Sequence, residues 1–334
     1  MEALDELPIF PDTVPWEEAQ AALEHHALGD GLPLVPPTRQ RLEAMLTGVA
    51  APHESFGQVP SLLGELTAAA VAYNCVLAGC QAAELAVVLT ATEACLEPRF
   101  NLLGILTTTG TPTVVTVVHG PLARTLAMNA GTNCLGPGNR CNATIGRAIA
   151  LVMRNIGGAR PGIGDMATMG QPGKYTFCFP EGDDGTLPPL PVRRGFAADT
   201  SAVTVLGVSG TAEVLPMGGG DTPEAILQPM ATAMSVASAV SNGGRQVEPG
   251  EQFFLLPPEL TQQIAKRGWD LARIQDYLHG ARPATSAETA ASTARGPQHI
   301  HPIVTGGAGV KMTYLPLWAG GTLSVTRAVR DLSR

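Results

Sequence analysis

The chain has 334 residues, of which 45% are hydrophobic and 15% charged, a composition typical of a folded protein with a sizeable core and not of a disordered chain. Its net charge of -8, without any run of basic residues, argues against a nucleic-acid partner, because phosphate binding requires clustered cations. The longest apolar stretch, residues 68–88, is interrupted by polar residues, so we expect no membrane-spanning segment and no membrane partner.

The first residues and the cysteines bear on the compartment. Residues 1–6 (MEALDE) are acidic and lack the basic start and apolar core of a secretion signal, so a cytoplasmic location is expected. Without such a signal, six cysteines in a chain of this size predict reduced thiols or ligands and not a disulfide framework. They are Cys75, Cys80, Cys95, Cys134, Cys141 and Cys178.

An extended arm and a helix open the predicted elements. The prolines of residues 29–38 (GDGLPLVPPT) hold that segment extended, and Thr38 is placed to cap a helix over residues 39–46. Asp30 stands between two glycines and is a candidate to move protons at a site. The alternative is that the arm is only a rigid structural segment.

A helical region rich in small residues follows over residues 65–97 and is broken near Gly79. Small side chains permit close packing, so we expect both halves to be buried, either within a subunit or between subunits. Cys75 and Cys80 are five residues apart, which separates them by about 140° on a continuous helix. These two thiols are therefore predicted not to share a ligand.

Residues 102–109 and 113–119 are apolar and rich in β-branched side chains, and glycine and proline bound them, so both are predicted strands. Helical and strand patterns then alternate over residues 143–156, 174–180, 201–208, 223–240, 252–256, 259–267, 271–278 and 300–305.

This alternation predicts an α/β fold with mixed sheets, built as Rossmann-like layers with helices packed on the sheets. A glycine-rich turn over residues 216–220 precedes a new helix, which suggests two domains, residues 1–215 and 216–334. Residues 181–191 and 284–298 are candidate linkers.

The strongest local signal is the glycine-rich loop of residues 131–142 and the predicted helix after it, with Asn142 as a candidate cap. Glycines let a backbone approach a ligand, and the free N–H groups of a helix start attract anions. The alternative is a tight turn with solvated arginines, and the spacing matches no nucleotide motif. The candidate substrate-binding residues are Gly136, Gly138, Asn139, Arg140, Asn142 and Arg147, the two arginines belonging to a seven-residue repeat that continues at Arg154.

Cys134 and Cys141 flank this loop, where a helix start and an arginine would favour the thiolate and make it a nucleophile or a ligand. No cofactor is required by the sequence. An iron-sulfur cluster would need further cysteines brought in by folding, because the chain has no closely spaced CxxC pair, and no metal ligands are assigned.

Further candidates lie in two other segments. Gly307 and Lys311 belong to a second glycine-rich turn after the strand that ends near residue 305, a place where α/β proteins bind ligands. Lys174, with Asp165 and Tyr175 nearby in sequence, is a candidate proton donor or acceptor. A plain turn and solvated side chains are the alternatives.

Several motifs together resemble a bacterial family associated with UGSC-motif selenoproteins, in which U is selenocysteine. They are residues 29–38, 77–80 (LAGC), 136–147 (GPGNRCNATIGR), 155–158 (NIGG) and 171–178 (QPGKYTFC), and the similarity runs from about residue 29 to 327. The resemblance implies thiol or selenol chemistry on a small molecule, with Cys80 and residues 136–147 involved. Because the chain contains no Gly-Ser-Cys element, a redox centre would lie in a partner protein or be built from Cys80, Cys134 or Cys141.

Three functions stay open at this point. The first is an enzyme, a lyase or hydrolase, that binds a small carboxylate-bearing substrate and makes or breaks a carbon-heteroatom bond, with a carbon-sulfur bond favoured. Its catalytic candidates are Cys80, Cys134, Asp30, Lys174 and Lys311. The others are a non-catalytic binding or scaffold subunit that serves a redox partner, and a dehydratase-like enzyme with a metal cluster. A homo- or hetero-oligomer is expected.

Overall fold

The computed structural model describes residues 7–241, 250–281 and 294–333. The predicted linker over residues 284–298 lies mostly outside the described residues. The helices are α1 (Trp16–His25), α2 (Arg39–Met45), α3 (Ala68–Ala78), α4 (Leu85–Cys95), α5 (Leu102–Thr107), α6 (Pro121–Thr125), α7 (Arg140–Asn155), α8 (Leu190–Arg193), α9 (Pro223–Ser241), α10 (Pro258–Lys266) and α11 (Leu271–Gly280). The strands are β1 (Ser55–Val59), β2 (Gly64–Thr67), β3 (Thr113–His119), β4 (Cys178–Pro180), β5 (Ala202–Val208), β6 (Ala212–Val214), β7 (Gln252–Leu256), β8 (Ile300–Val304), β9 (Met312–Leu315) and β10 (Val325–Ala328).

Two mixed sheets form the centre of the fold. The first has the strand order β10-β5-β3-β4, with β3 and β4 parallel and the other neighbours antiparallel. The second has the order β6-β9-β7-β8, with β7 and β8 parallel and the others antiparallel. A separate antiparallel hairpin joins β1 and β2. The predicted α/β class with mixed sheets is therefore confirmed.

Successive side chains of a strand point to opposite faces of its sheet, so each sheet has two faces. One face of the first sheet packs against one face of the second. Val115 and Val117 on β3 pack in one apolar cluster with Phe253 and Leu255 on β7. On the outer face of the first sheet, Val118 joins the cluster formed with α3, α4 and α7. Helices α9, α10 and α11 cover the second sheet in the same way. The layers therefore run helix, sheet, sheet, helix.

One predicted strand is wrong. Residues 102–109 contain the short helix α5, which begins after Asn101, whose side chain accepts a hydrogen bond from the Gly104 N–H at 3.3 Å. Leu102 and Ile105 are buried, whereas Leu103 is exposed, which is helical spacing. The side-chain cap outweighs the strand preference of an apolar run too short to fix its own structure.

The other elements near the predicted site follow the sequence closely. Thr38 caps α2 by accepting a hydrogen bond from the Arg41 N–H at 3.3 Å. The long helical region contains two buried helices, α3 and α4, separated at Gly79, whose φ of 85° is a left-handed helix end. Its first three residues, 65–67, belong to strand β2 instead. The strand predicted at residues 113–119 is β3.

The proposed division at residue 215 stays a prediction. The second sheet begins close to that point, at β6. The chain then returns to the first sheet, where β10 pairs with β5 from Val325 opposite Val205 to Ala328 opposite Ala202. None of the helices in the described ranges has both the length and the apolar run that a membrane crossing needs.

Candidate functional site

Hydrogen bonds among its own residues and the first turn of α7 stabilise the glycine-rich loop. Asn139, and not the predicted Asn142, caps the helix, since its side chain accepts from the Asn142 N–H at 2.9 Å. Asn142 instead lies in the first turn of α7. Its amide accepts from the Asn129 N–H at 3.1 Å and donates to the carbonyls of Asn129 and Cys134. The polar groups expected to meet an anion thus largely bind one another.

At two positions of the loop, the local structure explains why the residue is glycine. A Cβ on Gly136 would lie 2.2 Å from Oδ1 of Asn133, so this position leaves room for the asparagine side chain. Gly138 has a φ of 131°, which side chains other than glycine rarely adopt. Close packing and backbone conformation therefore account for these glycines without a ligand.

The first two arginines of the seven-residue repeat are already paired. Arg140 donates to Glu84 at 2.6 Å and to the Gly79 carbonyl at 3.1 Å, and Glu84 is only 1% exposed. Arg147 forms a two-pronged ion pair with Asp30, at 2.8 and 2.9 Å. It also donates to the carbonyls of Leu32 and Pro33, so Arg147 and Asp30 fasten the extended arm to α7.

The two lysines predicted as proton carriers lie apart. Lys311 forms an exposed ion pair with Glu213 at 3.0 Å. Lys174 donates to Asp165 at 2.6 Å, and both side chains are partly buried. Lys174 and Asp165 are close in sequence and also in space, whereas Lys311 is close to them in neither.

The second glycine-rich turn meets the first loop. The Gly306 N–H donates to the Ala130 carbonyl at 2.8 Å. A Cβ on Gly307 would lie 2.7 Å from the Thr132 Cα, so only glycine fits this contact. Thr305, which follows β8, donates to the Pro180 carbonyl at 3.0 Å, and its Oγ1 lies 3.6 Å from Sγ of Cys134. The two motifs therefore form one packed junction, in which Gly307 has a packing role.

The thiols do not have the electrostatics expected of nucleophiles. Burial raises the pKa of Cys134, and burial together with the Glu84 carboxylate raises the pKa of Cys141 to about 12. Arg140 opposes this only in part, because it is paired with Glu84. The expectation that the helix start and the arginine favour a thiolate is therefore wrong at both positions.

Cys75 and Cys80 correct a second expectation. Helix α3 ends at Ala78, and the left-handed turn at Gly79 brings the Cys80 N–H to the Cys75 carbonyl at 2.9 Å. The turn places Cys80 beyond the helix, where its thiol donates to the Thr144 carbonyl at 3.4 Å, so the 140° separation of a continuous helix does not apply. The neighbouring Cys75 thiol, burial and Glu84 raise the pKa of Cys80 well above its usual value.

A cleft of about 710 Å³ opens at the other end of α7. One wall contains Ala150 and Arg154, one helical turn apart. The facing segment, residues 161–175, contributes the Lys174–Asp165 pair and Tyr175. Along the helix axis this cleft is about 20 Å from Arg140 at the glycine-rich loop, so the two places are separate sites.

The charged side chains that line the cleft are Arg154 and Lys174 together with Asp30 and Asp165. Arg160 lies close to Arg154, and the Nε atoms of both arginines are buried and have no hydrogen-bond partner among the described residues. Burial and the nearby positive charge of Arg160 lower the pKa of Arg154, and the negative charge of Asp30 opposes this shift only in part. Both carboxylate oxygens of Asp30 accept hydrogen bonds from Arg147. A guanidinium remains protonated in this setting, so an anion would stabilise this wall of the cleft.

Arg154 was predicted only as a member of the seven-residue repeat, without a role at a site, and Arg160 was not predicted to have a role. A usable signal was present in residues 154–160 (RNIGGAR), because the Gly157–Gly158 pair ends α7 and reverses the chain. Two arginines on either side of such a turn come close together. Their charges do interact in the structure.

No protein-family model matches the sequence, and no curated protein matches it either. The resemblance to the UGSC-associated family therefore stays a prediction. Within the described ranges, no three histidine, cysteine or acidic side chains are grouped so that they could hold a metal ion.

Proposed function

We propose that the chain is a lyase that binds a small carboxylate in the cleft at the end of α7 and breaks a carbon-heteroatom bond. The observation that carries this proposal is Arg154, which lines the cleft and whose buried Nε atom has no partner in the described structure, with the positive charge of Arg160 nearby. A carboxylate supplies a negative charge for this pair of cations and hydrogen-bond acceptors for the Arg154 guanidinium.

The Lys174–Asp165 pair supports the choice of a lyase. Asp165 takes the proton from the carbon next to the carboxylate, and the electron pair of that C–H bond forms a C=C bond. The bond to the heteroatom breaks, its electrons leave with the heteroatom, and Lys174 gives that atom a proton. The proton on Asp165 then passes to Lys174 across their 2.6 Å hydrogen bond, which restores both groups.

The thiol version of the hypothesis receives less support. The pKa values of Cys80, Cys134 and Cys141 are all raised, which keeps these thiols protonated at neutral pH. The arginine and lysine groups at the cleft need no such activation. The leaving heteroatom of the substrate, sulfur included, stays open in this proposal.

Binding is tested first, by isothermal titration of succinate into the protein. We expect Arg154→Gln to weaken succinate binding by about tenfold to a hundredfold, since a hydrogen bond to a charged group contributes about 1.5–3 kcal/mol. Arg39→Gln is the matched control, because Arg39 is exposed on α2, outside the cleft. Equal affinity of the wild type and Arg154→Gln would contradict the proposed anion site.

Turnover is tested separately with carboxylates that carry a hydroxyl, amino or thioether group on the β carbon. Formation of an unsaturated carboxylate is followed by its ultraviolet absorbance. Lys174→Gln is expected to abolish this signal while succinate binding persists, because the variant keeps the shape of the wall but cannot donate the proton. Binding without turnover of any of the three compounds would favour a non-catalytic binding subunit.

A further inference from the structure

The rim of the same cleft is apolar. Met166 and Tyr175, which line it, are each about half exposed, and Met169 is 90% exposed. Pro161 and Pro172 also lie in its wall. Single exposed apolar side chains are ordinary on protein surfaces, but several around one concave site indicate a surface that contacts something apolar.

Arg154 and the exposed methionines lie on different elements around the cleft, although Asp165 and Lys174 share the segment of the methionines. Arg154 lies on α7, whereas Met166 and Met169 belong to the segment that faces the helix. Methionine is unbranched and flexible, so two methionines can pack against apolar groups of differing shape. A volume of about 710 Å³ falls in the range of sites that hold ligands much larger than a carboxylate group alone.

We propose that the natural substrate is an amphiphilic carboxylate, with its carboxylate against Arg154 and an aliphatic or aromatic body against Met166, Met169 and Tyr175. This inference rests on the proposed function, since it uses the same anion site. Charge complementarity selects this occupant over a purely apolar one, because an apolar ligand would leave the Arg154 Nε without an acceptor.

The experiment is isothermal titration of straight-chain carboxylates of increasing length, from acetate to octanoate, into the full chain. The expected result is a gain in affinity of up to about fourfold for each added methylene, the limit set by its complete burial. Met169→Gln is expected to flatten this dependence on chain length and to leave acetate binding unchanged. Met217→Gln, which alters an exposed methionine outside the cleft, is expected to retain the full dependence.

The outcomes separate the two proposals. If acetate binds as tightly as octanoate, the apolar part is overturned and the anion site stands. If none of the carboxylates binds, both proposals fall. If octanol binds as tightly as octanoate, the carboxylate is not recognised and the amphiphilic substrate is overturned. If Met169→Gln changes only the oligomeric state, measured by light scattering, the apolar rim is a subunit contact and the inference is overturned.

Discussion

At the scale of single residues, the neighbours of a side chain decide its chemistry more than its place in a motif. Glu84 is the clearest case, because this buried carboxylate pairs with Arg140 and accepts a hydrogen bond from Thr144 at 2.8 Å. It also raises the pKa of Cys80 and Cys141. One acidic side chain, distant in sequence from the loop, thus pairs with Arg140 and helps to raise the pKa of two of the candidate thiols.

The thiols are therefore predicted to react slowly in the folded protein. At neutral pH a cysteine whose pKa is near 12 is almost wholly protonated, and only the thiolate reacts with iodoacetamide. We expect Cys80, Cys134 and Cys141 to be alkylated far more slowly than free cysteine, as measured by mass spectrometry of digested samples. Denatured protein is the control, in which all six thiols should react. Rapid labelling of any of the three in the native protein would contradict the raised pKa values.

At the scale of elements, helix α7 connects the glycine-rich loop with the cleft. Its start carries the glycine-rich loop and its end carries Arg154. In the middle, Gly146 lies against the segment leading into β4, where Thr176 donates to the Ala143 carbonyl at 2.8 Å. A Cβ on Gly146 would lie 2.7 Å from the Phe177 nitrogen. The helix and the strand can approach this closely only with glycine at that position.

Two glycine-to-alanine substitutions in helices test this contact. Gly146→Ala is expected to lower the free energy of unfolding by about 1–3 kcal/mol, because backbone atoms must move to admit the methyl group. Gly280→Ala, at the end of α11, meets nothing within 4 Å and is expected to be neutral or to stabilise by up to about 1 kcal/mol. Urea unfolding measures both, and equal effects of the two substitutions would refute the close approach at Gly146.

The sequence predicted elements well where a local signal was strong. Thr38 and the break at Gly79 are local, and both were predicted correctly, whereas the Asn101 cap of α5 was overlooked in an apolar run. The site was harder to predict because its electrostatics are not local. Glu84 and Arg140 are 56 residues apart in the chain, and Asp30 and Arg147 are 117 apart. Periodicity and spacing contain no information about such pairs, so the sequence did not indicate that Arg140 and Arg147 have acidic partners.

At the scale of the whole molecule, Glu251 ties the two sheets together. It precedes β7 in the second sheet and accepts hydrogen bonds from the backbone and hydroxyl of Ser324, at 2.7 and 2.6 Å, just before β10 in the first. Arg194 also pairs with it, at 3.3 Å. Burial alone would raise the pKa of Glu251, but His301, Arg194 and Ser324 lower it to about 2.

This carboxylate makes part of the stability dependent on pH. A pKa of about 2 in the folded state, below the ordinary 4.5, means that the contribution is complete above pH 4.5 and is lost as the pH falls towards 2. We expect Glu251→Gln to reduce the change in unfolding free energy across that acidic range, measured by urea unfolding. Glu43→Gln, an exposed carboxylate on α2, should leave it unchanged. If both variants follow the wild-type pH dependence, Glu251 is not the group responsible.

The return of β10 to the first sheet also matters while the chain is being made. β10 pairs with β5 along Val325–Ala328, although more than a hundred residues and the whole second sheet separate the two strands in sequence. During synthesis, β5 therefore emerges from the ribosome long before its neighbour and presents an unpaired strand edge, a surface that readily pairs with other chains. That edge of β5 stays unpaired until β10 has been synthesised, which exposes the unfinished chain to aggregation during this interval.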